Sequence, residues 1–379
     1  MKAYIFIFIL VMIFSPFSYG FSNFFDRISI TDTITNFMDN IGVPRKASLY
    51  FGGDIMLSRS IGYWDEQENF DRIFSGNNYN PVKQSQNCKK GECVVFFNLE
   101  SPFSKTDNNQ LDSTFSFQAH TGSINTINQL TNSHPSILSL ANNHIYNAGY
   151  EGIKTTQSIL KENDILGVGA GTNQQESRQI KSITKNNIKM CFGAYSYDGR
   201  TIQYGNGQSL VRNSIDVNKI EEDIQKMEQK GCDANIISLH WGREYKIEPT
   251  PTQQNQAHKI IDAGADLILG HHSHVPGKIE KYNGKYIFYS LGNFIFDQDR
   301  GRQNYGENHA EFDTIWDHKH EKWTVPTYIG LNGIVDIYKT GSETKIELNK
   351  LKNIRSYQGI LERADKKTGT EIINKIKSF

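Results

Sequence analysis

The stretch Ser48-Leu49-Tyr50-Phe51-Gly52-Gly53-Asp54 decides the fold. A short run of apolar and aromatic β-formers passes through two glycines straight into a carboxylate, the layout of a buried strand that ends in a ligand-type side chain. The layout returns along the chain. Residues 94–97 run into Asn98-Leu99-Glu100, 137–141 into Asn142-Asn143-His144, 235–239 into His240-Trp241-Gly242, and 267–270 into His271-His272-Ser273-His274. Residues 188–195 read as another strand. Between these runs, 150–163, 217–230 and 252–263 carry helical periodicity. In the second, Ile220, Ile224 and Met227 form one apolar stripe, and Gly231 stands just past its end as a C-terminal stop should. Strands alternating with helices predict a layered α/β domain with largely parallel pairing. In such a sheet the carboxyl ends of the strands line one crevice.

Asp54, Glu100, Asn143, His240, His272 and His274 are therefore candidate metal ligands. Each alone has an ordinary structural role open to it: an Asp after a strand caps a turn, Glu100 can be a solvated turn carboxylate, Asn143 can cap the next turn, and His240 beside Trp241 can be a packed imidazole. Five strands that finish alike favour convergence on a cation. His272 and His274, two apart in an extended segment, would face the same side. Carboxylate, amide and imidazole donors without thiolate fit Zn, Mn or Fe rather than Ca or an iron–sulfur cluster. One ion or two stays open.

The whole chain has 379 residues, with 41 Lys+Arg against 41 Asp+Glu. That length admits either two domains or one large α/β domain with additions. A hydrophobic fraction of 37% excludes a disordered chain and a multi-span membrane protein. Balanced charge argues against a nucleic-acid-binding surface. At the N-terminus, Met1-Lys2 precedes an apolar run over 3–14 and the triplet Ser18-Tyr19-Gly20. This is a secretory signal cleaved after Gly20 or an uncleaved membrane anchor, and both put the bulk of the protein outside the cytoplasm. Residues 21–46 read as a linker. Cys88 and Cys93 bracket a Lys-Lys-Gly-Glu turn and would close a small disulfide loop in an oxidising compartment, whereas Cys191 and Cys232 read as two buried thiols. Residues 278–282 and 285–289 flank Asn283-Gly284, a tight-hairpin signal. Beyond them, 297–317 read as a long surface loop, 334–338 and 345–348 as a second hairpin, and 350–379 as a charged tail with a terminal helix.

The strings Gly53-Asp54-Ile55-Met56-Leu57-Ser58-Arg59, Asn98-Leu99-Glu100-Ser101-Pro102, Leu140-Ala141-Asn142-Asn143-His144, His240-Trp241-Gly242-Arg243-Glu244-Tyr245, Gly270-His271-His272-Ser273-His274 and Tyr289-Ser290-Leu291-Gly292-Asn293-Phe294 resemble the CapA family of poly-γ-glutamate capsule biosynthesis proteins. The resemblance runs in order over about residues 47–297. It implies the calcineurin-like metallophosphoesterase fold, a layered two-sheet α/β sandwich with the site at strand ends, in place of a simple open sheet. It divides the chain into a signal or anchor (1–20), a linker (21–46), the main domain (47–300) and a C-terminal extension (301–379).

By motif, the resemblance makes Asp54 a ligand able to bridge two ions, gives Glu100 the acidic position of the second string, and makes Asn143 a ligand of the second ion. His240, His272 and His274 become the imidazole ligands, and His144 the acid that protonates a leaving group. Arg59, Arg243 and Asn293 would bind an anionic substrate, the two arginines having surface ion pairing as their ordinary alternative. Two departures stand out: Met56 occupies the position of a histidine ligand in phosphoesterases, and Asn147 stands where relatives carry an aspartate behind the His144 position. The implied function is support of poly-γ-glutamate synthesis, export or surface retention at a periplasmic or cell-surface location, alongside the membrane proteins of the capsule synthase. The alternative is a metal-dependent hydrolase of a phosphoester or of the polymer amide bond.

Overall fold

The computed structural model describes residues 43–59, 61–62, 73–74, 79–86, 88–89, 92–105, 117–204, 207–298, 316–317, 322–323, 327–357, 360–364 and 366–379. The expected signal or anchor, most of the linker and most of the 297–317 loop lie outside the described residues. In chain order the principal strands are β1 (Arg45–Ile55), β2 (Cys93–Leu99), β3 (Ser136–Ser139), β4 (Ile165–Val168), β5 (Lys181–Lys185), β6 (Ile188–Ser196) and β7 (Ala234–His240). They continue with β8 (Leu267–His271), β9 (Ile279–Tyr282), β10 (Lys285–Phe288), β11 (Asn293–Ile295), β12 (Ile329–Thr340), β13 (Glu343–Tyr357) and β14 (Ile360–Arg363). The helices that cover them are α1 (Ile124–Thr131), α2 (Gly149–Glu162), α3 (Val217–Gln229) and α4 (Pro251–Asp262), with α5 (Lys366–Ile376) near the C-terminus.

Two sheets result. The first has eight strands in the order β14-β13-β12-β1-β2-β3-β4, with β11 also paired to β1. The second has six, in the order β9-β10-β8-β7-β6-β5. In the first, β1, β2, β3, β4 and β11 pair in parallel. In the second, β6, β7, β8 and β10 do the same. The chain divides into two compact units, Met1–Arg45 with Lys339–Glu343, and Lys46–Tyr338 with Thr344–Phe379. The described part of the smaller unit comprises 43–45 and a turn with Gly341 at φ 60°. The larger unit holds the layers and the site.

Alternation along each strand builds the layers. Leu49, Phe51, Val94 and Phe96 join Met190, Phe192, Ile236, Leu269 and Phe288 in one buried cluster, so the two sheets pack face to face. The rings of Phe96 and Phe192 stack with centroids 5.9 Å apart, and those of Phe51 and Phe288 meet at 4.9 Å. The intervening residues Tyr50, Val95, Phe97 and Leu138 face Ile127, Leu130, Ile153 and Leu160 of α1 and α2. On the other side, Ile237, Leu239 and Ile268 face Ile220, Ile224 and Met227 of α3 and Ile260 of α4. Strands covered on both faces need apolar residues at every position, which is why these runs are continuous rather than alternating.

The helix ends follow local chemistry. Asp216 caps α3 through its side chain, which accepts from the Asn218 amide at 3.1 Å, and Gly231 leaves the helix at φ 68°. Thr250 and Gln253 form a reciprocal capping box on α4, with Pro251 in its first turn. Asn283 and Gly284 both take positive φ between β9 and β10, as a two-residue hairpin turn requires.

Two expectations are corrected. Cys191 and Cys232 are joined as a disulfide, with Cα atoms 5.8 Å apart, as are Cys88 and Cys93 at 5.2 Å. The turn after α3 carries Cys232 back beside β6, a contact that a separation of 41 positions conceals in sequence. Residues 350–357, read as the start of a tail, instead continue β13, and α5 follows only at Lys366.

Candidate metal centre

Asp54 lies at the end of β1, where its Cα pairs in register with Asn98 of β2 and Asn293 of β11. Gly53 makes that crowding possible, since a Cβ there would fall 1.8 Å from the Gly292 carbonyl oxygen. The Asp54 amide donates to the same carbonyl at 2.9 Å. In the second sheet, His240 and His271 stand side by side at the ends of β7 and β8. The carboxyl ends of both sheets thus contribute to one buried cluster.

The donor atoms of Glu100, His240 and His272 lie within 4.8 Å of one another, and so do those of Asp54, Glu100 and His274. All five side chains are buried. Glu100 belongs to both groups, whereas the resemblance gave the bridging position to Asp54. His272 and His274 reach the cluster, but not through an extended segment as expected: their φ values are 93° and 59°, in the left-handed region that costs a non-glycine residue about 1–3 kcal/mol. Such strain is characteristic of sites where geometry outranks local comfort.

The cluster is short of internal partners. Among the described residues neither oxygen of ionised Glu100 has a hydrogen-bond donor, although the residue is fully buried; only the protonated carboxyl could bond, to Asp54, and His240 Nε2 stands 3.7 Å from Oε1. His272 Nδ1 and His271 Nε2 are likewise buried without partners. Orphaned buried acceptors cost free energy unless a ligand satisfies them. Carboxylate oxygens and imidazole nitrogens facing one another fit a divalent cation of the Zn, Mn or Fe type.

Electrostatics favour the same reading. Burial pushes the Glu100 carboxyl well above its ordinary range, and the negative charge of Asp54 pushes it further. Burial also works against the charge of Asp54. It is outweighed by the bond from His271 Nδ1 at 2.9 Å, the nearby His274 and the Asn98 amide at 2.9 Å, so the Asp54 pKa is held low. Burial and mutual repulsion lower His240 well below the usual imidazole range and His272 to about 4. These histidines stay neutral, the form in which imidazole binds a metal.

Asn143 Oδ1 lies 2.8 Å from His240 Nε2, and Asn143 Nδ2 lies 3.0 Å from His144 Nε2. His144 Nδ1 in turn contacts Asn147 Oδ1 at 2.9 Å. Without a cation, one tautomer assignment satisfies this row: His144 donates from Nδ1 to Asn147 and accepts at Nε2 from Asn143, while His240 donates from Nε2 to Asn143; a cation at His240 Nε2 would take the place of that proton. Burial lowers the His144 pKa to about 4, the Asn147 contact opposing it. Met56, where a histidine ligand would stand, is buried with Phe117 and Phe296.

The expected anion-binding residues separate. Arg59 is ion-paired to Asp297 and lies 4.8 Å over the Phe117 ring, which also packs against the His144 ring at 4.0 Å. Arg243 is exposed, and among the described residues no hydrogen bond or ion pair ties it to the cluster. Asn293 is fully buried; its amide donates to Gln298 and to the Thr327 carbonyl, and its oxygen meets His274 Nδ1 at 2.9 Å. It orients a candidate ligand. Sequence reasoning gave no role to His271, Asn98 or Asn142. The first two fix Asp54, and Asn142 Nδ2 donates to the Leu99 carbonyl at 2.8 Å, tying down the segment before Glu100. Their positions at strand ends were the available signal.

The family described as bacterial capsule synthesis protein PGA_cap matches residues 48–298, a span that contains every residue of the cluster. The PGA biosynthesis protein CapA of Bacillus subtilis is 32% identical over 257 residues, covering 66% of this chain and 63% of its own length. The capsule biosynthesis protein CapA of Bacillus anthracis is 35% identical over 165 residues, covering 43% of this chain and 40% of its own length. The chain therefore spans less than two thirds of either relative. Among solved structures, a novel phosphatase from Mycoplasma pneumoniae aligns over 84% of this chain and 94% of its own, with 13% identity and a TM-score of 0.43.

Proposed function

Because the chain belongs to the bacterial capsule synthesis protein family, we propose that it supports the synthesis, export or surface retention of poly-γ-glutamate through a divalent-metal site in the two-sheet cleft. The observation that carries this reading is Glu100: a fully buried carboxylate with no hydrogen-bond donor among the described residues, common to both donor groups. Glu100, His240 and His272 would hold one ion and Asp54, with Glu100 and His274, a second, while Asn143 adds an amide oxygen. A bound cation there supplies positive charge to an anionic substrate oxygen. The protein's part is to orient and to keep water away: Asn293 holds His274, His271 and Asn98 hold Asp54, and Phe117 covers His144. Partners in this reading are the anionic polymer and membrane proteins of its synthase.

The same reading has the chain exported to the periplasm or cell surface, by a signal or anchor within residues 1–20. Pairing of all four cysteines supports an oxidising compartment. Among the described residues no helix is long and apolar enough to cross a membrane.

A second reading, hydrolysis of a phosphoester or of the polymer amide bond, is favoured by the contact between His144 and Asn143. Against it weighs the low pKa of His144, which leaves it without the proton a general acid needs near neutrality. Elemental analysis of purified protein, joined to surface-polymer measurement in cells carrying His240→Ala, tests both. Stoichiometric metal in the wild type, lost together with surface polymer in the variant, is the expected result. Chelator-sensitive turnover of a phosphoester or γ-linked oligomer would select the second reading, and full polymer without bound metal would end the first.

A further inference from the structure

A second polar cleft opens on the outer face of the first sheet, away from the sheet-to-sheet interior. Tyr50 marks its floor, four residues before Asp54 and about 13 Å back along the strand at the usual rise. Its walls come from the segment bearing Tyr79, Pro81, Gln84 and Ser85, from Asn332 to Ile334 of β12, and from Lys350, Lys352 and Arg363 of β13 and β14. Period-two alternation puts Lys350 and Lys352 on one side of β13.

Three features coincide there. Among the described residues no lining side chain is acidic, while three are cationic. The cations crowd one another: burial, and then the charges of Lys350 and Arg363, lower the proton affinity of Lys352. Finally, among the described residues three buried polar atoms of the lining have no hydrogen-bond partner, namely Tyr50 Oη, Ser85 Oγ and Asn332 Nδ2. Tyr50 is only 2% exposed and Asn332 only 4%. A phenol, a hydroxyl and an amide NH₂ can all donate, and a buried donor left without an acceptor costs stability. Arg363 is oriented at the rim, its Nη2 donating to Gln84 at 2.9 Å and its guanidinium lying 5.3 Å over the Tyr79 ring.

Unsatisfied donors beneath a cationic rim are complementary to a group that only accepts and carries negative charge. We propose that this cleft is a carboxylate-binding site, separate from the candidate metal centre, with the Tyr50 hydroxyl and the Asn332 amide as inner donors and Lys350, Lys352 and Arg363 as the charged rim. The polymer as source of the carboxylate rests on the function proposed above, because γ-linked glutamate carries one free α-carboxylate per residue. The site itself does not depend on that reading. Eight of the eleven described lining residues are uncharged, so contact with a chain rather than with bulk salt is accommodated.

The test is calorimetric titration of the full chain with three probes: glutarate, a γ-linked glutamate tetramer and inorganic phosphate. Tyr50→Phe removes only the unpartnered oxygen. It should weaken glutarate binding at least about tenfold, as loss of a bond to a charged acceptor does, while the melting temperature stays level or rises. A merely structural hydroxyl would instead lower the melting temperature and leave binding alone. Lys352→Gln with Arg363→Gln should abolish binding, and Lys154→Gln, on the exposed face of α2, should leave glutarate affinity unchanged. Glutarate and tetramer both binding in this pattern supports the site and its polymer ligand. Glutarate binding without the tetramer keeps the carboxylate site and removes the polymer. Phosphate binding alone, no binding by any probe, or wild-type affinity in Tyr50→Phe overturns the proposal.

Discussion

At the scale of the residue, Glu100 is the most informative side chain of the centre. It is buried on every side, receives no hydrogen bond from the described residues, and is pushed toward its protonated form by burial and by Asp54. An ionised carboxylate in that position destabilises the protein unless a cation or a proton satisfies it. Glu100→Gln should therefore abolish stoichiometric metal in elemental analysis, yet raise the melting temperature of the metal-free protein or leave it level. A clear fall in that temperature would mean Glu100 is structural. His271 makes the complementary case. His271→Ala removes a bond to Asp54 in the interior and is expected to cost about 2–4 kcal/mol in chemical denaturation, since it also opens a cavity.

At the scale of the element, Asp336 of β12 ties three strands together. Its carboxylate accepts from Ser48 Oγ of β1 at 2.6 Å and from Asn349 of β13, and Lys46 Nζ lies 2.8 Å away. Burial would raise its pKa, but the bonds from Lys46, Ser48 and Asn349 prevail and hold it below the ordinary 3.8. A depressed carboxyl contributes stability in full above its unfolded pKa and loses it as pH falls through the folded one. Asp336→Asn should thus cost about 1–3 kcal/mol at pH 7 and distinctly less at pH 3, read by denaturant melts at both. The disulfides differ by loop length. With separations of 41 and 5, the chain-entropy relation makes loss of Cys191–Cys232 about 2 kcal/mol more costly than loss of Cys88–Cys93, which paired Cys→Ser variants would measure. Central strands and helices were legible in the sequence because both faces of each strand are covered and α3 carries a clean stripe. The length of β13 was hidden, since Lys350, Lys352 and Arg355 interrupt its apolar positions and imitate a solvated tail. The site was legible where a ligand-type residue ends a strand. The left-handed turn at His272 and the roles of His271 and Asn98 were not, because they depend on register between strands distant in sequence.

At the scale of the whole molecule, the family match ends at residue 298, but the first sheet does not. β12 lies directly beside β1, and its Ile329, Leu331, Ile334, Val335 and Ile337 are buried in the core. Those five side chains are worth about 7–15 kcal/mol of burial, comparable to the entire stability of an ordinary domain. A chain stopped at residue 298 should consequently fail to fold, giving no cooperative transition in circular dichroism, whereas the full chain gives one. Asn293 would also lose the Thr327 carbonyl that helps it hold His274. The donors themselves are split between the halves of the sandwich: Asp54 and Glu100 hang from one sheet, His240, His272 and His274 from the other. An ion gripped by both acts as a rivet. If such an ion is bound, stripping it with chelator should loosen that edge of the seam and lower the melting temperature of the wild type, while the apolar layer between the sheets stays in place.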